Sequence, residues 1–221
     1  MSDLKWLFLS LHILPHKVEN WREVIAYYLM PVHSTPLVLR FRNGDVLNVP
    51  ASYSFEAIAE TILMNVYKLS EPASVVIDIG ASVGDFTILA SQPKSNLRIY
   101  SYEPDPETFD YMKSNVSLNG RNSVRLFNEA ANSDTLHEVL HRFREPRIDF
   151  LKIDCEGCEY EVLMKCSIED LSVVQRISME IHECEGCYQS ELISFLRRAG
   201  FNVTWERKPG HGQYVYAKRK L

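Results

Sequence analysis

Carboxylates stand at the ends of apolar, strand-like runs at Asp78, Glu103, Glu129 and Asp154, with Glu156 two residues beyond the last. A carboxylate at a strand end that faces a cleft can accept hydroxyls, pair a cation or take a proton from a reacting group. Within IDFLKIDCEGCEYEVL (148–163), Asp154 is the first candidate for a general base and Glu156 the second, while Glu159 equally suits a helix start. SMEIHE (178–183) adds Glu180, suited to neutralising Lys152 inside a sheet, and His182. An unperturbed carboxylate is a weak base, so an imidazole at the same edge suits proton transfer near neutral pH better, and His182 is the third catalytic candidate.

The binding end of such a cleft is written in VVIDIGASVGDFT (75–87), an apolar strand that ends near Asp78 and turns through Gly80, Ala81, Ser82 and Gly84 into a helix. Glycines let a ligand approach the backbone, and the free NH groups of the following helix favour a carboxylate or phosphate. The same pattern also serves a plain strand-to-helix turn. Its neighbour RIYSYEPDP (98–106) ends in Glu103, 19 residues past Gly84, where an acid accepts the two hydroxyls of an adenosine ribose. Nicotinamide and flavin dinucleotides fit less well, because Ser82 stands where their fingerprint needs its middle glycine. S-adenosylmethionine has no pyrophosphate and fits a looser turn, with Asp78 holding its ammonium directly or through water. Glu129 and Ala130, after the third strand, can meet the adenine, although a solvated turn is as good a reading.

Strands expected at 75–79, 98–102, 124–128, 148–153 and 177–182 alternate with helices in the βαβ manner, which predicts a doubly wound, mostly parallel sheet. A helix at 186–199 stops at Gly200, and 201–207 and 213–219, joined by KPGHG, predict an antiparallel hairpin at the sheet edge. Residues 1–70 read as a cap on a 71–221 domain, the two forming one compact unit. In the cap, 18–30 is helical, 37–49 a hairpin turning at Asn43–Gly44, and 55–69 an amphipathic helix.

The chain has 221 residues, 46% hydrophobic and 24% charged, enough for one substantial core. Its net charge of -5 and pI near 5.8 argue against a dedicated nucleic-acid binder. WLFLSLHIL (6–14) is too short to span a bilayer and lacks a cleavage site, so a cytoplasmic protein without membrane contact is expected.

The hairpin RNGDVLNVP, DIGASVGDFT, YEPDPETFDYMKSNVSLNG, DFLKIDCEGCEYEVL and SMEIHE follow one another as in the FkbM-type S-adenosylmethionine-dependent methyltransferases, which the chain resembles across roughly residues 40 to 205. That resemblance implies a class I methyltransferase fold (Rossmann-like), cofactor contacts at Asp78, Gly80, Ser82, Gly84 and Glu103, and methylation of a hydroxyl on a sugar or other small molecule. An RNA methyltransferase, or a non-catalytic scaffold that binds cofactor or metal, are the alternatives. The chain departs from the family in a short 131–149 segment and in its cysteines. CEGC occurs twice, at 155–158 and 184–187, with 25 residues between the pairs. The spacing suggests zinc, but the gap exceeds that of paired zinc knuckles, and cysteine often serves as a small buried hydrophobe. Five reduced thiols, counting Cys166, and no metal are the expectation, with a structural zinc or disulfides as the alternatives.

Overall fold

The computed structural model describes residues 12–30, 35–54, 57, 59–91, 97–182, 184, 186–207 and 213–220. At its N-terminal side, helix α1 (Trp21–Leu29) precedes a hairpin of β1 (Leu37–Arg40) and β2 (Val46–Val49), turned at Gly44 with φ +91°. The hairpin pairs Leu39 with Leu47 and so sends alternate side chains into a core beside α1.

The main sheet comprises β3 (Val75–Ile79), β4 (Arg98–Tyr102), β5 (Val124–Phe127), β6 (Phe150–Ile153), β7 (Arg176–Ile181), β8 (Phe201–Arg207) and β9 (Gln213–Arg219). Their order is β5-β4-β3-β6-β7-β9-β8, parallel except for β9, which lies antiparallel between β7 and β8. β3 and β6 are buried along their whole length, and their near-continuous apolar character is that of central strands covered on both faces. The chain winds outward from β3 through β4 and β5, then returns to β6 on the other side, so the topological switch point lies between β3 and β6.

Helices α2 (Asp85–Ala90), α3 (Pro106–Leu118), α4 (Glu159–Met164), α5 (Ile168–Ser172) and α6 (Gln189–Arg198) connect the strands. Asp105 caps α3 by accepting the Thr108 N–H, with Pro106 as the first helical residue. Farther along, Asn115 of α3 and Asn119 just past its end bond to β2 as a further strand would. Asn115 accepts the Asn48 N–H and donates to the Asn48 carbonyl, and Asn119 does the same with Val46. These four bonds tie the hairpin of the expected cap to the sheet domain.

Of the expected 55–69 helix, Ala57 is helical and Ala59–Leu63 form a wider turn, after which Asn65 and Lys68 take left-handed φ of 48° and 53°. That reversal ends the helix and turns Tyr67 inward, to 3% exposure. The KPGHG joint and most of the 6–14 run lie outside the described residues. No helix among the described residues is long and apolar enough to cross a membrane.

Candidate active site

At the switch point, the loop after β3 and the loop after β6 touch. A Cβ on Gly80 would stand 1.7 Å from the Asp154 carbonyl oxygen, and the Asp154 N–H donates to Ile79 O at 3.0 Å. Glycine at position 80, with φ +68°, is thus required by the neighbouring strand, a different reason from the ligand approach that the sequence suggests. Around the junction lies a cleft of about 370 Å³, within the usual range of roughly 300–1,000 Å³ for small-molecule sites. Tyr53, Tyr67, Glu60, Asp85, Glu103, Lys152, Asp154 and Glu156 contribute to its wall.

Glu103 anchors one end. Its Oε2 accepts the Ser82 N–H at 2.8 Å and its Oε1 the Asp105 N–H at 2.9 Å, which fixes the carboxylate over the glycine turn. A carboxylate has about four acceptor directions, so two remain for a ligand's hydroxyl pair. Ser82 itself has φ +50°, a conformation normally left to glycine, and sets its hydroxyl 3.4 Å from the Tyr53 hydroxyl.

Asp78 is not in the wall. It is fully buried beneath the turn, where Oδ2 accepts the Thr87 hydroxyl at 2.6 Å and Oδ1 lies 3.1 Å from the Lys152 ammonium. It therefore neutralises Lys152, the role expected of Glu180, and is not placed to hold a ligand's ammonium directly. Lys152 also donates to Gly80 O at 2.6 Å; burial opposes its charge, but Asp78, Asp154 and Asp85 more than offset this and raise its pKa. The first turn of α2 is likewise committed. Asp85 is buried there, and burial pushes its carboxyl up to about 6 despite Lys152, while Oδ1 accepts the Phe86 N–H. An anion expected at this helix start would meet Asp85. Among the other expected contacts, Ala81 is buried and donates to Tyr102 O, and Gly84 packs on Met112. Glu129 and Ala130 are exposed, outside the cleft lining.

The three expected catalytic residues do come together at the other end. Asp154 Oδ2 accepts the Tyr67 hydroxyl at 2.5 Å, and its Oδ1 lies 3.7 Å from His182 Nε2. Glu156, with φ +55° and a side chain 87% exposed, stands 3.6 Å from the same nitrogen. Behind them, Glu159 at the start of α4 is fully buried; it accepts the N–H groups of His182 and Gly157 and lies 3.4 Å from His182 Nδ1. Burial works against the Glu159 charge, but its bonds from His182 hold the carboxyl below its usual range. In return Glu159, aided by Asp154 and Glu156 and opposed by burial, pushes His182 up to about 9. That shift favours the imidazolium at neutral pH and works against His182 as the proton acceptor expected from the sequence.

The CEGC pairs are disulfides, Cys155–Cys158 and Cys184–Cys187, which leaves buried Cys166 as the free thiol and corrects the expectation of five reduced cysteines. Tyr53, Tyr67 and Asp85 escaped the sequence reading because none ends a strand. Lys152 carried a signal of its own, a charge inside an otherwise apolar strand.

Comparison with known proteins agrees with this architecture. Residues 132–203 match the methyltransferase FkbM domain, and residues 44–142 match the TRM5/TYW2 methyltransferase domain. Methyltransferase sdnD of Sordaria araneosa is 22% identical, spanning 66% of this chain and 81% of its own. Among solved structures, TYW2 of M. jannaschii in complex with AdoMet superposes with TM-score 0.51 at 19% identity, over 86% of this chain and 87% of that one. Precorrin-6y C5,15-methyltransferase from Geobacter metallireducens also gives 0.51 at 19% identity, over 75% and 88%. Both structures share the class I methyltransferase fold.

Proposed function

We propose that this S-adenosylmethionine-dependent methyltransferase, whose residues 132–203 match the methyltransferase FkbM domain, methylates a hydroxyl of a small molecule or carbohydrate, with Asp154 as the proton acceptor. The observation that carries this reading is the charge of the cleft wall, where, among the described residues, Glu60, Asp85, Glu103, Asp154 and Glu156 face one cation, Lys152. Such a wall suits a cationic methyl donor and a neutral acceptor, and repels a polyphosphate chain. The FkbM match also supports it, since residues 132–203 contain the acceptor-side loops after β6 and β7.

S-adenosylmethionine, when bound, supplies an electrophilic methyl on a sulfonium. The residues present fit it, with Glu103 for the ribose hydroxyls and the 80–82 turn for the methionyl part. The protein's own work is to hold the acceptor oxygen in line, worth up to about 7–11 kcal/mol in favourable systems, and to remove its proton. Asp154 takes that proton as the oxygen–methyl bond forms, a contribution of about a hundred- to ten-thousand-fold. The Tyr67 hydroxyl fixes the Asp154 carboxylate, and the His182 imidazolium faces its other oxygen.

The second reading, an RNA methyltransferase, is favoured by the TRM5/TYW2 match over residues 44–142, the hairpin and the cofactor half. Incubation with methyl-labelled S-adenosylmethionine, the low-mass fraction of a cell extract and unmodified tRNA separates the two. Label in an alkali-stable ether of a low-mass compound supports the proposal; label in RNA overturns it.

A further inference from the structure

Away from the cleft, we infer a second site, for a divalent transition-metal ion of the zinc type, held by His137, His141 and Asp170. The two histidines are four residues apart on a continuous helical segment, Thr135–His137 running into the wider turn Glu138–Arg142, and so share a face. Their ring centroids are 4.1 Å apart. Facing both rings is Asp170 of α5, whose side chain is only 4% exposed. His137 Nδ1 lies 3.1 Å from one carboxylate oxygen and His141 Nε2 lies 3.1 Å from the other. All three donors fall within 4.8 Å of one another.

These separations are close to what one ion demands. Zinc bonds imidazole nitrogen and carboxylate oxygen at about 2.0–2.2 Å, which places tetrahedral donors roughly 3.4 Å apart. The two nitrogen–oxygen separations of 3.1 Å match that spacing, and the three donors, within 4.8 Å of one another, have only to draw in around a shared ion. Imidazole and carboxylate together suit zinc, nickel and copper rather than magnesium or calcium. The histidine side chains are 62% and 59% exposed, so the fourth position opens to water. The frame beneath is fixed independently of any ion. Ser167 caps α5 by accepting the Glu169 and Asp170 N–H groups, and Thr135 accepts the Asn132 N–H at the start of the histidine turn. An ion here would clip the β5–β6 connection to α5, a structural role distinct from methyl transfer.

Asp154, Glu180 and His182 form the other three-donor group among the described residues, but it belongs to the catalytic end, where Tyr67 and Glu159 already hold Asp154 and His182. It serves as the control. The test takes the full chain without a histidine tag, its CEGC pairs oxidised, stripped with a chelator and titrated with zinc by calorimetry and with cobalt by visible absorption. One ion per chain is expected, with a raised unfolding temperature. His137→Gln and His141→Gln, both at exposed positions, should each weaken binding about ten-fold or more and abolish the thermal shift, whereas His182→Gln should not. No uptake, uptake unchanged in both exposed-histidine variants, or loss in His182→Gln alone would each overturn the site.

Discussion

Replacing His182 with glutamine should remove a block of stability that the wild-type protein loses as pH rises from about 6.5 to about 9. The folded-state pKa is about 9, against an unfolded value near 6.5. Because the folded value is the higher, the contribution is full below about pH 6.5, declines as pH rises to about 9 and is absent above. The shift corresponds to a ceiling of about 3 kcal/mol at about 1.4 kcal/mol per unit. Glu156 is 87% exposed and solvent screens its share, so about 1.5–2 kcal/mol is the expected loss. Asp85 acts in a separate window. Its carboxyl is raised from 3.8 to about 6, so protonation in the folded state favours folding at low pH, and that contribution fades as pH rises toward 6. Urea unfolding of wild type and His182→Gln at about pH 6 and pH 10 reads the difference, and NMR titration of the His182 ring gives the pKa itself. Parallel pH profiles in the two proteins, or a ring titrating near 6.5, would refute the charge network around Glu159.

Asp154→Asn should bind S-adenosylmethionine normally yet lose about a hundred-fold or more in kcat on the true acceptor, and Tyr67→Phe about ten-fold; wild-type kcat in Asp154→Asn would remove it as the base. Gly80→Ala drives a Cβ onto the Asp154 carbonyl and should cost at least about 3 kcal/mol by chemical denaturation, whereas Gly44→Ala, with open space around it, should cost about 1 kcal/mol; equal costs would contradict the contact. Thiol titration of the denatured, unreduced chain should find one group, Cys166, and five after reduction.

The sheet was legible because its central strands are apolar throughout and end in acids followed by turn residues, and the expected 201–207 and 213–219 runs coincide with β8 and β9. The helix expected at 55–69 shows what periodicity misses. Its apolar spacing reflects burial of Ile62, Leu63, Val66 and Tyr67, but those residues are presented by a wide turn and two left-handed reversals. In the site, strand-end position picked out Glu103, Asp154 and Glu156, which line the cleft, and His182, which lies beside Asp154 and Glu156. It could not say which acid faces the cleft and which lies beneath it. Asp78 and Glu159 are both taken inward, one by Lys152 and Thr87, the other by the backbone of His182 and Gly157. The protonation state of His182 is equally a property of assembly, since Glu159 is 23 residues away in sequence.

The cofactor end rests on Glu103, and calorimetric titration of wild type, Glu103→Gln and Glu103→Ala with S-adenosylmethionine, S-adenosylhomocysteine and NAD tests it most directly. Loss of the bonds to two ribose hydroxyls costs roughly 1.5–3 kcal/mol. The wild type should therefore bind both adenosyl compounds and not NAD, with affinity about ten- to a hundred-fold weaker in Glu103→Ala and an intermediate loss in Glu103→Gln, which preserves the brace on Ser82. Undiminished affinity in a folded Glu103→Ala, or preferential binding of NAD, would contradict the assignment.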